Sequence, residues 1–81
     1  MEKQEILRKV QNIIKKFCSF KPDQITLEAN LIRDLGLDSF DFLNLISHAE
    51  RKFHISFSVE EQESIETVGD VVETIYKKIK P

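Results

Sequence analysis

The chain contains few of the residues that build disulfide-stapled, metal-binding or membrane-spanning proteins. Its 81 residues include one cysteine, two prolines, two glycines and no tryptophan. Because Cys18 stands alone, an internal disulfide is excluded, and no cysteine–histidine spacing suits zinc, so we predict no metal site. No apolar run approaches the roughly 20 residues that span a bilayer. These absences predict a single soluble, cytoplasmic domain over residues 1–81, with Cys18 as a reduced thiol where the first helix ends.

Charge is nearly balanced overall but unevenly distributed along the chain. The formal net charge is −2, yet residues 34–73 hold ten acids and two bases, a net of −8, while the rest hold four acids and ten bases, a net of +6. The acidic region opposes nucleic-acid binding, which depends on neutralising phosphates. It favours docking to basic patches on proteins; the plainer alternative is a solvated surface that keeps the domain dispersed.

Apolar residues recur at helical spacing and predict an all-α fold, a small four-helix bundle with three main helices and one short helix. The main stripes lie at residues 6–17, 39–52 and 68–79. Ser58 with Glu61 matches a capping box and predicts the short third helix. Thr67 with Asp70 opens the last helix in a similar way. No second apolar run is available to pair as a strand with the alternating residues 55–59.

The first connection, residues 21–38, is long for so small a domain and has no sustained periodicity. We expect a short helical turn after Asn30, and we expect the apolar side chains of the loop to hold it across the bundle. These side chains are Ile25, Leu27, Leu31, Ile32 and Leu35.

The second helix is unusually apolar at its start. Its inward positions are predicted to be Leu45, Ala49 and Phe53. If those three face the core, the apolar residues of the first turn cannot all do so, and at least one is expected to lie exposed and form a contact surface. These residues are Phe40, Phe42 and Leu43.

One serine, Ser39, stands at the start of this helix. The segment reads Leu35-Gly36-Leu37-Asp38-Ser39-Phe40-Asp41. A helix N-terminus has unpaired backbone amides and partial positive charge, so a phosphate attached there is stabilised. Serine and aspartate are also common N-caps. The motif by itself therefore leaves open a plain helical interaction module, with Ser39 as an N-cap or as a phosphorylation site.

The complete pattern resembles the acyl carrier protein family over essentially the whole chain. The family motif is an Asp-Ser-Leu triplet at the start of the second helix, preceded by a leucine–glycine turn and followed by an acid. Residues 35–41 match it, with Phe40 in place of the leucine. Residues 30–34, 49–55 and 65–70 resemble the family's approach loop, the end of its second helix and the entry to its last helix.

The resemblance implies that a phosphopantetheinyl transferase attaches 4′-phosphopantetheine from coenzyme A to Ser39. The arm's thiol then holds fatty or polyketide-type acyl groups as thioesters. The protein itself has no catalytic residues by this interpretation, and no nucleophile–base pair lies near Ser39. His48 and His54 are expected to be surface or packing residues. An aminoacyl or D-alanyl carrier is the alternative within the same chemistry.

The implied partners are the transferase and acyl-loading, synthase or acyltransferase enzymes with basic docking patches, which a monomeric carrier meets in turn. We expect their recognition surface to comprise Asp38, Phe40, Asp41, Leu43, Glu50, Glu60 and Glu61. In the family an acyl chain can enter between the second and third helices. Its expected lining here is Leu45, Ala49, Phe53, Ile65 and Val71, and the alternative is that these five residues form only the core.

Three positions depart from the charge pattern of typical fatty-acid carriers. Asn44 stands where those carriers have an acid, and Arg51 and Lys52 replace acids near the end of the second helix. The helix is therefore less acidic than the family pattern. This difference favours a specialised carrier over one that serves the usual fatty-acid synthesis enzymes.

Overall fold

A computed structural model describes residues 1–79, which form a four-helix bundle. The helices are α1 (Lys3–Ile14), α2 (Ser39–Phe53), α3 (Val59–Ser64) and α4 (Val68–Ile79), with a 3-10 turn at Pro22–Gln24. Helix α1 packs against both α4 and α2. The described part of the chain contains no strand, only an isolated bridge between Asn30 and Thr67. The predicted all-α fold with a long first connection is therefore confirmed; Lys80 and Pro81 lie outside the described residues.

Every long helix contributes a buried apolar stripe to one core. Val10 and Ile14 of α1, Leu45 of α2 and Ile75 of α4 are fully buried. Burying such a side chain stabilises the fold by roughly 1.5–3 kcal/mol relative to leaving it exposed. Leu45, Ala49 and Phe53 all face this core, which confirms the predicted inward stripe of the second helix. No helix between Met1 and Ile79 has the length and apolar content that a bilayer crossing requires.

The first connection is held inward at fewer points than predicted. Ile25, Leu31 and Leu35 are buried as expected, but Leu27 is 42% exposed and Ile32 is 59% exposed. The prediction was wrong for these two. Since the segment has no periodicity, the local hydrogen bonds of its turns decide which side chains face the core.

Asn30 stabilises the turn at residues 30–35, and this turn determines which of its apolar side chains face the core. Its Oδ1 accepts hydrogen bonds from the amides of Ile32 and Arg33 at 3.1 and 2.8 Å, and the Asp34 carboxylate accepts from the Asn30 amide at 2.7 Å. The Asp34 amide donates back to the Asn30 carbonyl at 2.9 Å, which confirms the predicted helical turn. One helical turn places Leu31 and residue 35 on the inner side and directs Ile32 outward.

The start of α4 fastens the connection to the bundle. The Gly69 amide donates to the Leu27 carbonyl at 2.8 Å, and the Val68 amide donates to the Ala29 carbonyl at 3.0 Å. A Cβ atom at position 69 would lie 3.0 Å from the Leu27 oxygen, so glycine permits this close approach. The backbone of Leu27 is thus held against α4 while its side chain remains outside.

The cap of α4 is as predicted. Asp70 accepts hydrogen bonds from the amides of Glu66 and Thr67 at 2.9 and 3.0 Å, and the Thr67 hydroxyl accepts from the Asp70 amide at 3.1 Å. Partial burial raises the pKa of Asp70, but the hydrogen bonds that its carboxylate accepts from the Glu66 and Thr67 amides, together with a side-chain hydrogen bond from Thr67, favour the charged form more strongly, and the net effect lowers its pKa.

Helix α1 ends earlier than the apolar stripe suggested. After Ile14 the chain forms tighter turns, in which the Lys16 amide donates to Ile13 and the Phe17 amide donates to Ile14. Cys18 therefore lies beyond the helix, with its Sγ 3.7 Å from the Ile14 carbonyl oxygen. The Phe17 ring packs edge-to-face against the half-buried His48 ring, with their centroids 5.8 Å apart. His48 is therefore a packing residue, as expected.

Candidate functional site

A sharp turn delivers the chain to the start of α2. Gly36 has a φ of +74°, in the left-handed region that favours glycine. The next residue, Leu37, is only 1% exposed, and its amide donates to the Leu31 carbonyl at 3.1 Å. Leu37 is therefore a core residue that was not predicted from the sequence. An apolar residue just before an N-cap, with another apolar residue at Phe42 in the first turn, is the hydrophobic-staple pattern that indicates it.

Two aspartates cap the helix reciprocally. Asp38 Oδ1 accepts from the Asp41 amide at 2.8 Å, and Asp41 Oδ2 accepts from the Asp38 amide at 3.2 Å. Both carboxylates lie where the helix dipole is positive, which stabilises them. Asp38 is therefore the N-cap of α2. The alternative in which Ser39 serves as the N-cap is wrong.

Ser39 is instead the first residue of α2, and it is exposed. Within residues 1–79 its hydroxyl forms no hydrogen bond, and the amides of Ser39 and Phe40 likewise have no acceptor. Unpaired first-turn amides bind phosphate oxygens well, because the helix dipole also favours the anion. The donor set at this helix start therefore fits a phosphodiester on the Ser39 oxygen.

Apolar side chains surround the serine on the outer face of the first turn. Phe40 is 78% exposed and Leu43 is 55% exposed, while Phe42 is half-buried against the core. The expectation that at least one of the three lies exposed is confirmed. Val59, the first residue of α3, is also exposed, and no sequence signal singled it out.

Most of the predicted recognition acids also form bonds within the protein. Glu50 Oε2 accepts from the Phe57 amide at 2.8 Å, and Glu61 accepts from the Ser58 amide at 2.8 Å. The Ser58 bond and the ion pair with Lys78, at 2.9 Å, lower the pKa of Glu61.

Glu60 differs from the other recognition acids. Its side chain is exposed and makes no hydrogen bond or ion pair within residues 1–79. In the part of the chain that the structure describes, no three acidic, histidine or cysteine side chains are grouped so that they could hold a metal ion.

The five predicted acyl-lining residues are all buried members of the core. A cavity of about 460 Å³ opens beside them, between the approach loop, α2 and the end of α3. Its lining includes Ile32, Arg33 and Phe42, and Ile65 is the one predicted residue that it shares. Leu45, Ala49, Phe53 and Val71 are buried and do not line it.

The comparisons with known proteins agree with this geometry. Residues 8–75 match the model of a family described as a phosphopantetheine attachment site. An acyl carrier protein of Amoebophilus asiaticus is 45% identical over 93% of this chain and 94% of its own, and one of Thermotoga maritima is 40% identical over 95% of each. The solved acyl carrier protein of Enterococcus faecalis superposes with a TM-score of 0.82 at 35% identity, over 96% of this chain and 99% of that chain.

A match in sequence and in structure over nearly the whole chain confirms the resemblance drawn from residues 35–41 and their flanking segments. The family's members are carriers and not catalysts, and their cofactor is attached covalently. The chain therefore belongs to the acyl carrier protein family, and it carries acyl groups on a covalently attached 4′-phosphopantetheine arm.

Proposed function

We propose that Ser39 is the residue that bears the arm, and that its cargo is a fatty or polyketide-type acyl group. The observation that carries this proposal is the exposed Ser39 hydroxyl, which has no partner within residues 1–79 and adjoins two unpaired amides. When attached, the arm supplies a thiol that holds the acyl group as a thioester. The protein itself presents the arm at a fixed position, because the Asp38–Asp41 capping box fixes the first turn of α2, where Ser39 lies.

The surface around Ser39 is proposed to dock the enzymes that load and unload the carrier. Phe40 and Leu43 offer apolar contacts, and the exposed Glu60 offers a carboxylate that is free of bonds within residues 1–79. Glu50 and Glu61 each accept a backbone hydrogen bond with one carboxylate oxygen, and the other oxygen of each is proposed to contact a partner. Such a small patch suits weak, rapidly exchanging contacts, as a carrier that visits several enzymes requires.

The acyl chain is proposed to enter the protein beside Phe42, one turn along α2 from Ser39. The cavity there, about 460 Å³, lies within the range of roughly 300–1,000 Å³ found for small-molecule sites. Beyond Ile65 the acyl chain meets the close-packed core, so a long acyl group must displace Leu45, Ala49, Phe53 or Val71. Burial of the acyl group then predicts that the loaded protein melts at a higher temperature than the unloaded one.

The exposed Asn44, Arg51 and Lys52 favour a specialised pathway within this chemistry. The aminoacyl or D-alanyl carrier remains the alternative cargo class, and mass spectra of the loaded protein distinguish the two. We also propose a monomeric, cytoplasmic protein; the single Cys18, which leaves no pair for a disulfide, supports that location.

Intact mass tests the attachment residue. Incubated with coenzyme A and a broadly specific phosphopantetheinyl transferase, the wild-type chain should gain one arm and Ser39→Ala should gain none. Ser58→Ala is the matched control, because Ser58 also stands at a helix start and forms a capping box. It should still gain one arm. Addition to Ser39→Ala, or no addition to wild type when a known carrier is modified in the same mixture, contradicts the proposal.

A further inference from the structure

A basic groove lies between the C-terminal half of α1 and the C-terminal half of α2. Its volume is about 340 Å³, and its polar lining is Lys9, Asn12, Lys16, His48, Arg51 and Lys52. Arg51 lies twelve residues beyond Ser39 on α2, about 18 Å along the helix axis. The groove is thus a separate surface from the one proposed to dock enzymes around the arm.

The cations of the groove are unpaired within residues 1–79, unlike Lys3 and Lys78. Lys3 forms an ion pair with Glu73 at 3.1 Å, and Lys78 pairs with Glu61. Within residues 1–79 none of the four groove cations has a carboxylate partner, and no acid contributes to the lining. An approaching anion therefore has no internal ion pair to break.

Favourable interactions with helix dipoles explain only part of the positive charge in the groove. Each helix C-terminus carries about −0.5 of an elementary charge, so the two ends that meet here attract roughly one positive charge between them. Four cations are present, on α1, on the turn after it and on the last turn of α2. The remaining positive charges repel one another, so the groove favours binding of an anionic group from another molecule.

We propose that this groove binds an acidic segment of a partner protein, a helix or projecting loop with carboxylates along one face. Charge complementarity carries the choice of an acidic occupant. Lys9 lies within α1 and Lys16 on the tighter turn that follows it, and Arg51 and Lys52 line the opposite side. Cations distributed along the groove in this way suit several carboxylates along one face of a segment better than a single anion. A projecting segment can enter the concavity, whereas a flat lipid surface touches only its rims.

Such a surface makes partner choice depend on both ends of α2. An enzyme that contacts the whole helix needs a basic patch near Asp38 and an acidic segment near Arg51. A uniformly basic docking face meets repulsion at the second position, which discriminates against that class of partner. The inference concerns the groove alone and does not depend on attachment at Ser39.

Binding of a defined probe tests the site. The probe is a capped helical peptide with four glutamates at positions i, i+4, i+7 and i+11 in an alanine–glutamine host. Titrated into the ¹⁵N-labelled chain that carries its arm, it should shift amide signals of residues 9–16 and 48–52. The shifts should weaken as salt rises. A peptide of equal composition with its glutamates contiguous should bind several-fold more weakly.

Matched charge reversals separate the groove from net charge. Arg51→Glu with Lys52→Glu should weaken probe binding at least tenfold. Lys21→Glu with Lys77→Glu makes the same change in net charge at two exposed lysines outside the groove and should weaken binding no more than about twofold. If the first pair unfolds the protein, Lys9→Gln with Lys16→Gln replaces it and should show the same loss.

Three results overturn the proposal: equal losses in both charge-reversed pairs, shifts that map away from the groove, or no binding at low salt. Tighter groove binding of pyrophosphate or of phosphatidylglycerol vesicles than of the peptide would also overturn it, in favour of a small anion or a lipid surface. Repeating the titration with Ser39→Ala keeps the result distinct from arm attachment, because the groove should bind the peptide equally well in that variant.

Discussion

The two ends of α2 are opposite in charge and in the exposure of their aromatic residues. At the start, Asp38 and Asp41 cap the helix and Phe40 stands in solvent. At the end, Arg51 and Lys52 occupy the last turn and Phe53 is buried. Acids near a helix N-terminus and bases near its C-terminus both stabilise the helix through its dipole.

The sign of the charge at a helix end therefore says little about function. What distinguishes each end is the bonding capacity that the fold leaves unused. At the start this is the Ser39 hydroxyl with its neighbouring amides, and at the end it is the unpaired charge of Arg51 and Lys52. If the two ends differ in this way, substitutions at the start, in the middle and at the end of α2 should have different consequences.

Leu45 lies between the two ends and is fully buried. Leu45→Ala should reduce the free energy of unfolding by about 2–5 kcal/mol, since it removes buried methyl groups and leaves a cavity. Lys77→Ala, at an exposed position of α4, should change it by no more than roughly 0.5 kcal/mol. Denaturant unfolding measures both. Equal and small effects would mean that the middle of α2 does not anchor its ends to a common core.

The sequence was sufficient for features that local periodicity and caps determine. The inward stripe of α2, the Ser58–Glu61 box and the exposed apolar start of α2 follow from helical spacing and from residue types a few positions apart. Ile32 was assigned wrongly because the turn at Asn30, and not periodicity, directs it outward. Leu27 was assigned wrongly because the bond from the Gly69 amide holds its backbone against α4 and leaves its side chain outside.

Features that join distant segments had no local signal. The basic groove exists because packing of α1 against α2 brings Lys9 and Lys16 beside Arg51 and Lys52. In the sequence, Lys9 with Lys16 and Arg51 with Lys52 each resemble ordinary solvated charges of a helix. Ser39, by contrast, was identified from the motif around it, but its exact role in the helix required the structure, which gives the cap to Asp38.

The next expected effect concerns the start of α2. Asp38→Ala removes the acceptor of the Asp41 amide and should reduce the free energy of unfolding by about 1 kcal/mol, within the range of 0.5–2 for lost N-caps. Asp23→Ala, at an exposed carboxylate with no hydrogen bond within residues 1–79, should stay within roughly 0.5 kcal/mol. Thermal or denaturant melts compare them. If the two losses are alike, Asp38 acts only as a surface acid and the start of α2 is not held by its cap.

The end of α2 should respond in the opposite direction. His54 has a φ of 57° and is exposed, a conformation that costs a non-glycine residue roughly 1–2 kcal/mol. His54→Gly removes that strain and loses part of the gain through the greater freedom of the unfolded chain, so it should stabilise by about 0.5–1 kcal/mol. Lys52→Gly, in helical conformation two residues earlier, should instead destabilise by about 1 kcal/mol. Destabilisation by both changes would mean that His54 makes contacts that outweigh its backbone strain.

The smallest expected effect concerns partner choice. A fatty-acid elongation enzyme with a basic docking patch should use the loaded protein poorly, because Arg51 and Lys52 repel that patch and Asn44 adds no attraction. The triple change Asn44→Glu, Arg51→Glu and Lys52→Glu should lower the apparent KM about twofold, equivalent to ~0.4 kcal/mol, with kcat nearly unchanged. Steady-state kinetics at low salt measure the difference.

Ionic strength and a variant with the same net charge distinguish a local effect at α2 from an effect of net charge. Screening weakens interactions between exposed charges, so the advantage of the triple variant should shrink as salt rises. Lys15→Gln, Lys21→Glu and Lys77→Glu make the same change in net charge at exposed lysines outside α2 and should give less than half the gain at low salt. An equal gain would attribute the effect to net charge alone. Equal efficiency of the wild-type and triple-variant carriers at low salt would remove the argument for specialisation from the end of α2 and would leave the proposed attachment at its start, on Ser39, unaffected.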